Sequence, residues 1–313
     1  MTSPTAAAPH APLPADPHRS WYEESARGRL SHLLDAGSFS EFLGPQRREL
    51  SPHLALFNLP RQFDDGIVVG AGALAGKPVL VAAQEGRFMG GAIGEVHGAK
   101  LTGLLHAARQ MKRDVVILFD TGGVRLQEAN AGELAISEII RATVQARAAG
   151  VRVVGLLGGR AGCYGGGSLI AGCCSALVIS EQGRLSVSGP EVIETNKGVE
   201  EFDSKDRALV WRTMGGKHRY LIGGVDLFVA DTVAAFRAGA LAALDRPPTL
   251  DQAVLAAEQA RLERRLARFG DTADGTEVWA RLGVNQPTDV PDMDLDDFLT
   301  IANRQREGAD AAR

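Results

Sequence analysis

The sequence predicts an α/β fold built on a layered, parallel sheet, and three observations predict it. Apolar runs of strand length at residues 115–119, 151–157 and 176–180 alternate with helical patterns. Strands separated by helices return parallel to one another through right-handed crossovers. The first two runs end in glycines, Gly122 and Gly123 after one and Gly165, Gly166 and Gly167 after the other. In a parallel sheet such turns gather at the carboxyl ends of the strands, where ligands bind. Finally, 313 residues that are 45% hydrophobic and 23% charged suffice to bury one sizeable core and a helical appendage.

In chain order, residues 1–19 are rich in Ala and Pro and too poor in apolar pattern to pack, so a disordered tail is expected. A stripe of Ala26, Leu30, Leu33 and Leu34 predicts a helix leading into a turn at residues 35–39. Three short strands follow, at residues 67–71, at 79–84 and at Phe88-Met89. The glycines of residues 90–94 then open a helix with Leu101, Leu104, Leu105, Ala108 and Met111 on one face. After strand 115–119 a helix turns Ile136, Ile139, Ile140 and Val144 inward. Strand 151–157 leads to a small-residue helix over 168–175 and to strand 176–180. Residues 185–188, a turn at Gly189-Pro190, a helix over 206–214 and a strand over 227–230 complete a domain of residues 20–248. Residues 249–313 read as a helical C-terminal extension. Its charged helix carries a narrow stripe of Leu255, Leu262, Leu266 and Phe269 expected to face a partner, and residues 307–313 are expected to fray.

Charge and composition exclude several functions. A net charge of -4 and a pI near 6.0, with no block of Lys or Arg, exclude a nucleic-acid footprint. No apolar run reaches the roughly 20 residues of a membrane span and no signal layout is present, so a cytoplasmic protein without membrane attachment is expected. Cys163, Cys173 and Cys174 lack metal-ligand spacing and read as small apolar residues, so no metal is expected.

The chemistry therefore rests on the glycine turns. Glycine at a helix start lets a ligand approach the backbone, and the first unpaired N–H groups point at it with the positive end of the helix dipole behind them. Neither turn offers a nucleophile with a base beside it. Ser168 lacks a nucleophile elbow, and Asp120 ends an apolar strand, where a carboxylate caps a turn more often than it moves protons. Arg125 and Arg160 are candidates to meet a carboxylate or phosphate of the substrate, against an ion-pair or surface role. Tyr164 is a candidate to line the pocket or give a proton, against packing. His97 and His218 are isolated and read as structural.

The runs FMGGAIGEVHGAK (88–100), DTGGVRLQEA (120–129), YGGGSLIAG (164–172) and SGPEVIETN (188–196), in this order and spacing, resemble the carboxyltransferase branch of the crotonase superfamily. The likeness covers about residues 60–235. It implies a crotonase-like layered ββα superhelix with N-terminal and C-terminal helical extensions. It also implies an oxyanion hole of two backbone N–H groups, one from Gly122-Gly123 and one from Gly165, Gly166 or Gly167, holding a thioester carbonyl. Within the branch the chain is most similar to beta subunits of biotin-independent malonate decarboxylases. That implies decarboxylation of malonyl-S-acyl carrier protein to the acetyl form. The implied partners are a homologous gamma-type subunit, an acyl carrier protein and an acyl carrier protein transferase subunit. No cofactor is expected on this chain itself; a CoA-like prosthetic arm is delivered by the carrier protein. Two alternatives stand beside this reading. The beta subunit of a biotin-dependent acetyl-CoA carboxylase carboxyltransferase typically begins with a four-cysteine zinc ribbon, which is lacking here, and has Arg where Glu191 stands. A non-catalytic assembly subunit would leave the site on the partner, against which two glycine turns in one chain argue.

Overall fold

The computed structural model describes residues 18–247 and 250–306. The expected tail lies outside the described residues up to residue 17, as does the expected fraying at 307–313. Ser25 accepts the Gly28 N–H and so caps α1 (Ala26–Leu33), which sends Leu30 and Leu33 fully into the core. The short β1 (Ser40–Glu41) edges a hairpin of β2 (Ile67–Leu74) and β3 (Lys77–Gln84). Ala75 and Gly76 between them take φ of 51° and 74°, the two left-handed positions that a twisted hairpin turn requires.

The alternation then runs α2 (Glu95–Met111), β4 (Val115–Phe119), α3 (Asn130–Ala148), β5 (Val153–Leu157), β6 (Cys163–Tyr164), α4 (Gly165–Gly172), β7 (Ala176–Ser180) and β8 (Leu185–Ser186). After it come α5 (Pro190–Lys197), α6 (Arg207–Met214), α7 (Gly216–Leu221), β9 (Leu227–Val229) and α8 (Val233–Leu244). The chain closes with α9 (Gln252–Phe269), α10 (Gly275–Arg281) and α11 (Leu295–Gln305).

Seven strands make one sheet in the order β1-β2-β3-β4-β5-β7-β9, antiparallel as far as β3 and parallel beyond it. The central strands β4, β5 and β7 are buried along their whole length, as parallel strands covered on both faces must be. Helices α2, α3 and α7 pack on one face, and α1 and α8 on the other, where Trp21 stacks on Phe236 at 4.2 Å. A second tier lies above the carboxyl edge. β6 pairs with β8, Thr121 bridges Cys163 and Ile93 bridges Val124, so each turn passes a short extended piece before its helix. This is the layered ββα superhelix that the resemblance implies.

Several elements differ from expectation. Phe88-Met89 is no strand: Met89, Gly90 and Gly91 all have positive φ and form a 3₁₀ turn. The small-residue helix starts at Gly165 rather than at Ser168. Gly189-Pro190 is the start of α5, with Pro at its first position. Met111 and Val144 are 55% and 41% exposed: Met111 is the last residue of α2, and Val144 stands off the buried stripe of Ile139, Ala142, Thr143 and Ala146 on α3. Trp279, Phe298 and Ala302 share one core with Tyr220 and Leu221, so the C-terminal helices are no separable extension. Only α9 stands apart, with Leu255, Leu262 and Leu266 exposed and Phe269 packed against that core.

Candidate active site

Neighbouring strands β4 and β5 end at the same edge, and their glycine turns meet there. Gly123 and Gly165 have φ of +115° and +54°. A Cβ on either would stand 3.2 Å from the Cα of the other, so the two backbones touch with no side chain between them. Hydrogen bonds hold the contact in register: Thr121 N–H donates to Gly162 O at 2.8 Å, and Tyr164 N–H donates to Thr121 O at 2.9 Å.

Most of the glycine amides are engaged inside the fold. Gly122 N–H donates to Gly90 O at 2.8 Å, Gly165 N–H to Val187 O at 2.9 Å, and Gly123 N–H to Thr121 Oγ1 at 3.1 Å. Gly166 and Gly167, second and third in α4, present N–H groups with no acceptor among the described residues, as the start of a helix does. Gly167 is closed in, since a Cβ there would lie 2.4 Å from a Thr121 methyl, while Gly166 is partly exposed.

One further amide is open, and glycine pattern alone does not reveal it. The bridge of Ile93 to Val124 uses the Gly123 carbonyl, which accepts at 2.8 Å, and the Arg125 N–H, which donates at 2.9 Å. In an extended segment the intervening residue points its own N–H the other way. Val124 N–H therefore has no acceptor among the described residues, and its nitrogen lies 3.9 Å from where a Cβ on Gly165 would stand. The expected donor pair thus shifts. Gly122, Gly123 and Gly165 shape the turns, whereas Val124 and Gly166 offer the open N–H groups. Two open N–H groups beside a helix N-terminus are of the kind that can hold an oxygen on which negative charge develops.

The side chains around the turns are structural. Arg125 is fully buried, and its Nη1 donates to Asp65 Oδ1 at 2.9 Å and Glu128 Oε1 at 2.8 Å while Nη2 donates to Ala92 O at 3.1 Å. Its place as a substrate-binding candidate is corrected: the guanidinium is enclosed in an ion-pair cluster. Burial raises the Asp65 pKa above its usual value. Glu128 is also pushed up by burial, but hydrogen bonds from Ser51, Glu95 N–H and Arg125 outweigh that and hold it below its usual value. Asp120 accepts from Arg29 at 2.8 Å and from Ala161 N–H at 2.7 Å, and so caps the loop after β5.

Arg160 pairs with Glu23 at 2.5 Å on the surface, 45% exposed, and is likewise corrected as a substrate contact. Tyr164 is buried with Phe202, Val210 and Met214. Its hydroxyl has no partner among the described residues, and burial raises its pKa. Ser168 Oγ donates to Gly165 O at 2.7 Å, back into its own helix. His97 is neutral, held at a pKa of about 3 chiefly by burial. Among the described residues no group of three or more His, Cys, Asp or Glu side chains is placed to hold a metal, and all three cysteines are free.

The carboxyl transferase domain family matches residues 18–242. This chain belongs to that family. It is 39% identical over 307 residues to the malonyl-S-ACP:biotin-protein carboxyltransferase of Malonomonas rubra, covering 91% of this chain and 96% of that protein. A chain in the structure of a Pseudomonas malonate decarboxylase hetero-tetramer in complex with malonate is 39% identical, with a TM-score of 0.76, over 84% of this chain and 97% of that one. A transcarboxylase 12S structure, 27% identical with a TM-score of 0.60, aligns with 69% of this chain and only 40% of its own. The family member described here thus spans nearly the whole of the first two and a part of the third. The resemblance drawn from the four motifs holds, and the chain belongs among enzyme chains of carboxyl transfer or decarboxylation. Among the described residues no helix is long and apolar enough to cross a membrane.

Proposed function

We propose that this chain is the beta-type subunit of a malonate decarboxylase, which with a homologous gamma-type subunit converts malonyl-S-acyl carrier protein into the acetyl form and CO2. The observation that carries the reading is the pair of open amides, Val124 and Gly166, on either side of the Gly123–Gly165 contact. In this reading they receive the thioester carbonyl oxygen. As the C–C bond to the carboxylate breaks, its electron pair passes into an enolate, CO2 leaves, and a proton then returns to the carbon. Donors fixed at the enolate oxygen meet charge that exists only as the bond breaks, so they lower the barrier rather than merely hold substrate.

The partners are part of the same proposal. Exposed apolar side chains follow the turns closely in the chain, with Leu126 78% and Leu169 48% accessible, and Val187, whose carbonyl accepts the Gly165 N–H, is 63% accessible. Exposed apolar side chains next to the turns support a covering subunit, as do the exposed leucines of α9. The relatives' complexes support it too, one a hetero-tetramer and one a hetero-dimer. An acyl carrier protein would bring its CoA-like arm to the cleft between the two subunits, a transferase subunit would load it, and the assembly would work in the cytoplasm.

A second reading is favoured by the Malonomonas relative, whose name gives a biotin protein as carboxyl acceptor. The same amides would serve it, with the carboxyl group passing to a biotin nitrogen instead of leaving as CO2. The test uses malonyl thioester with the isolated chain, with the chain plus the gamma-type subunit, and with that pair plus a biotin protein. Little CO2 from the chain alone and full release on adding the gamma-type subunit supports the proposal. Acetyl thioester that forms only with the biotin protein, with the carboxyl group recovered on that protein rather than as CO2, replaces it by the second reading, and a full rate of CO2 release from the isolated chain sinks the split site.

A further inference from the structure

Between α7 and α9 lies a cavity of about 390 Å³ that the proposed reaction does not use. On α9 its wall is apolar, with Leu262, Leu266 and Phe269, and on α7 it is polar, with His218 and Arg219 beside Arg265 of α9. Trp279 Nε1–H donates to His218 Nδ1 at 3.2 Å, which places the imidazole proton on Nε2. His218 is only 8% exposed, and burial first, then the Arg219 charge, hold its pKa at about 3, so it is a neutral donor. Its Nε2–H has no acceptor among the described residues.

Arg219 is the stronger observation. It is half-buried, it has no carboxylate partner among the described residues, and its Nε is enclosed without an acceptor. Asp274, the acid whose charge reaches His218, is already held by Arg212 at 2.9 and 3.0 Å. Burial and the Arg265 charge lower the Arg219 pKa to about 10, which leaves it a cation at neutral pH. A half-buried guanidinium with its Nε enclosed without an acceptor and no carboxylate partner among the described residues gains when an anion joins it.

We infer that this cavity binds a small organic anion, a carboxylate or phosphate on a short apolar body. Arg219 supplies the planar donor fork, His218 Nε2–H a third donor, and Leu262, Leu266 and Phe269 the apolar wall. The anion has two sources of like chemistry, a free short-chain acid and the phosphate end of a pantetheine arm.

Calorimetric titration of the purified full chain with malonate, acetate, inorganic phosphate and 4′-phosphopantetheine tests this independently of turnover. At least one probe is expected to bind, with malonate or acetate identifying the first source and either phosphate probe the second. Arg219→Gln should weaken that binding about tenfold or more, the loss of a charge-assisted hydrogen bond. Leu262→Trp, which fills the cavity from an exposed face of α9, should abolish it without lowering the melting temperature. Val124→Pro should leave it intact, which separates this cavity from the glycine turns. Where Arg219→Gln fails to fold, Leu262→Trp decides alone. No binding of any probe at about 10 mM, or binding unchanged in the cavity variants, overturns the inference.

Discussion

Removing one backbone donor without touching any side-chain function is the sharpest test of the reaction site, and Val124→Pro does it. The bridge beside Val124 uses Gly123 O and Arg125 N–H, so proline deletes an N–H that holds no part of the fold. Gly123 before it has no Cβ and accepts the restriction that proline places on its neighbour. The change trims a partly exposed side chain whose Cγ2 packs toward Gly132, at about 1 kcal/mol or less, a few degrees in melting temperature for a chain of this size. Loss of one donor to a developing oxyanion costs on the order of 10² to 10³ in kcat, about 3–4 kcal/mol. The two effects therefore separate by orders of magnitude. The assay is single-turnover CO2 release by the assembled complex, with calorimetric melting in parallel and Val124→Ala, which keeps the N–H, as control. Glycine variants read less cleanly, because a Cβ on Gly166 would lie 2.6 Å from Ile136 and disturb packing as well. A Val124→Pro complex that turns over within about threefold of the parent refutes the donor role.

Arg125→Met should lower stability by about 3–5 kcal/mol in denaturant titration, because Asp65 and Glu128 stay buried without their cation, and should leave the KM of any surviving complex unchanged. A raised KM with unchanged stability would return Arg125 to the substrate. His97 and His218 both have folded pKa values of about 3 against 6.5 in the unfolded chain. The unfolded chain then binds more protons between those values, so stability is complete above pH 6.5 and falls with pH, by about 2 kcal/mol per histidine at pH 5. Denaturation at pH 7.5 and pH 5 measures this, and a combined difference under about 1 kcal/mol contradicts it. Leu255→Ser with Leu262→Ser and Leu266→Ser should leave melting of the isolated chain unchanged and weaken its pairing with the gamma-type subunit by light scattering; unaltered pairing would remove α9 from the interface. Turnover should survive a chelator, and activity that returns only with an added metal would refute that expectation.

The sheet was legible because its central strands are apolar without interruption and end in glycines, which fixes both their parallel sense and the edge that carries the site. Which amide is open was not legible. That depends on where Gly90 O, Val187 O and the Thr121 hydroxyl lie, and no local pattern in the sequence reports them. Nothing marks Val124 as a donor, since a β-branched residue in an extended segment reads as packing. Arg125 was ambiguous for a related reason: its partner Asp65 lies 60 residues away, in the turn before β2. By contrast α8 and α5, neither of which the sequence reading places as a helix, carry local signals that mark them: Thr232 accepts the Ala235 N–H as a cap, and proline at the first helical position of α5 marks a beginning and not only a turn.

The pairing of Arg29 with Asp120 has a consequence for the order in which the chain takes shape. The two side chains are 1% and 4% exposed and stand 91 residues apart. During synthesis α1 leaves the ribosome early, yet its guanidinium has no counter-ion until β4 has followed. To bury the apolar face of α1 before then would enclose an unpaired cation, at several kcal/mol. Asp120 in turn is fully engaged only when Ala161 arrives to donate its N–H. Full burial of the first helix to be made is therefore coupled to residues that follow it by roughly 90 to 130 positions, Asp120 and the loop beyond β5.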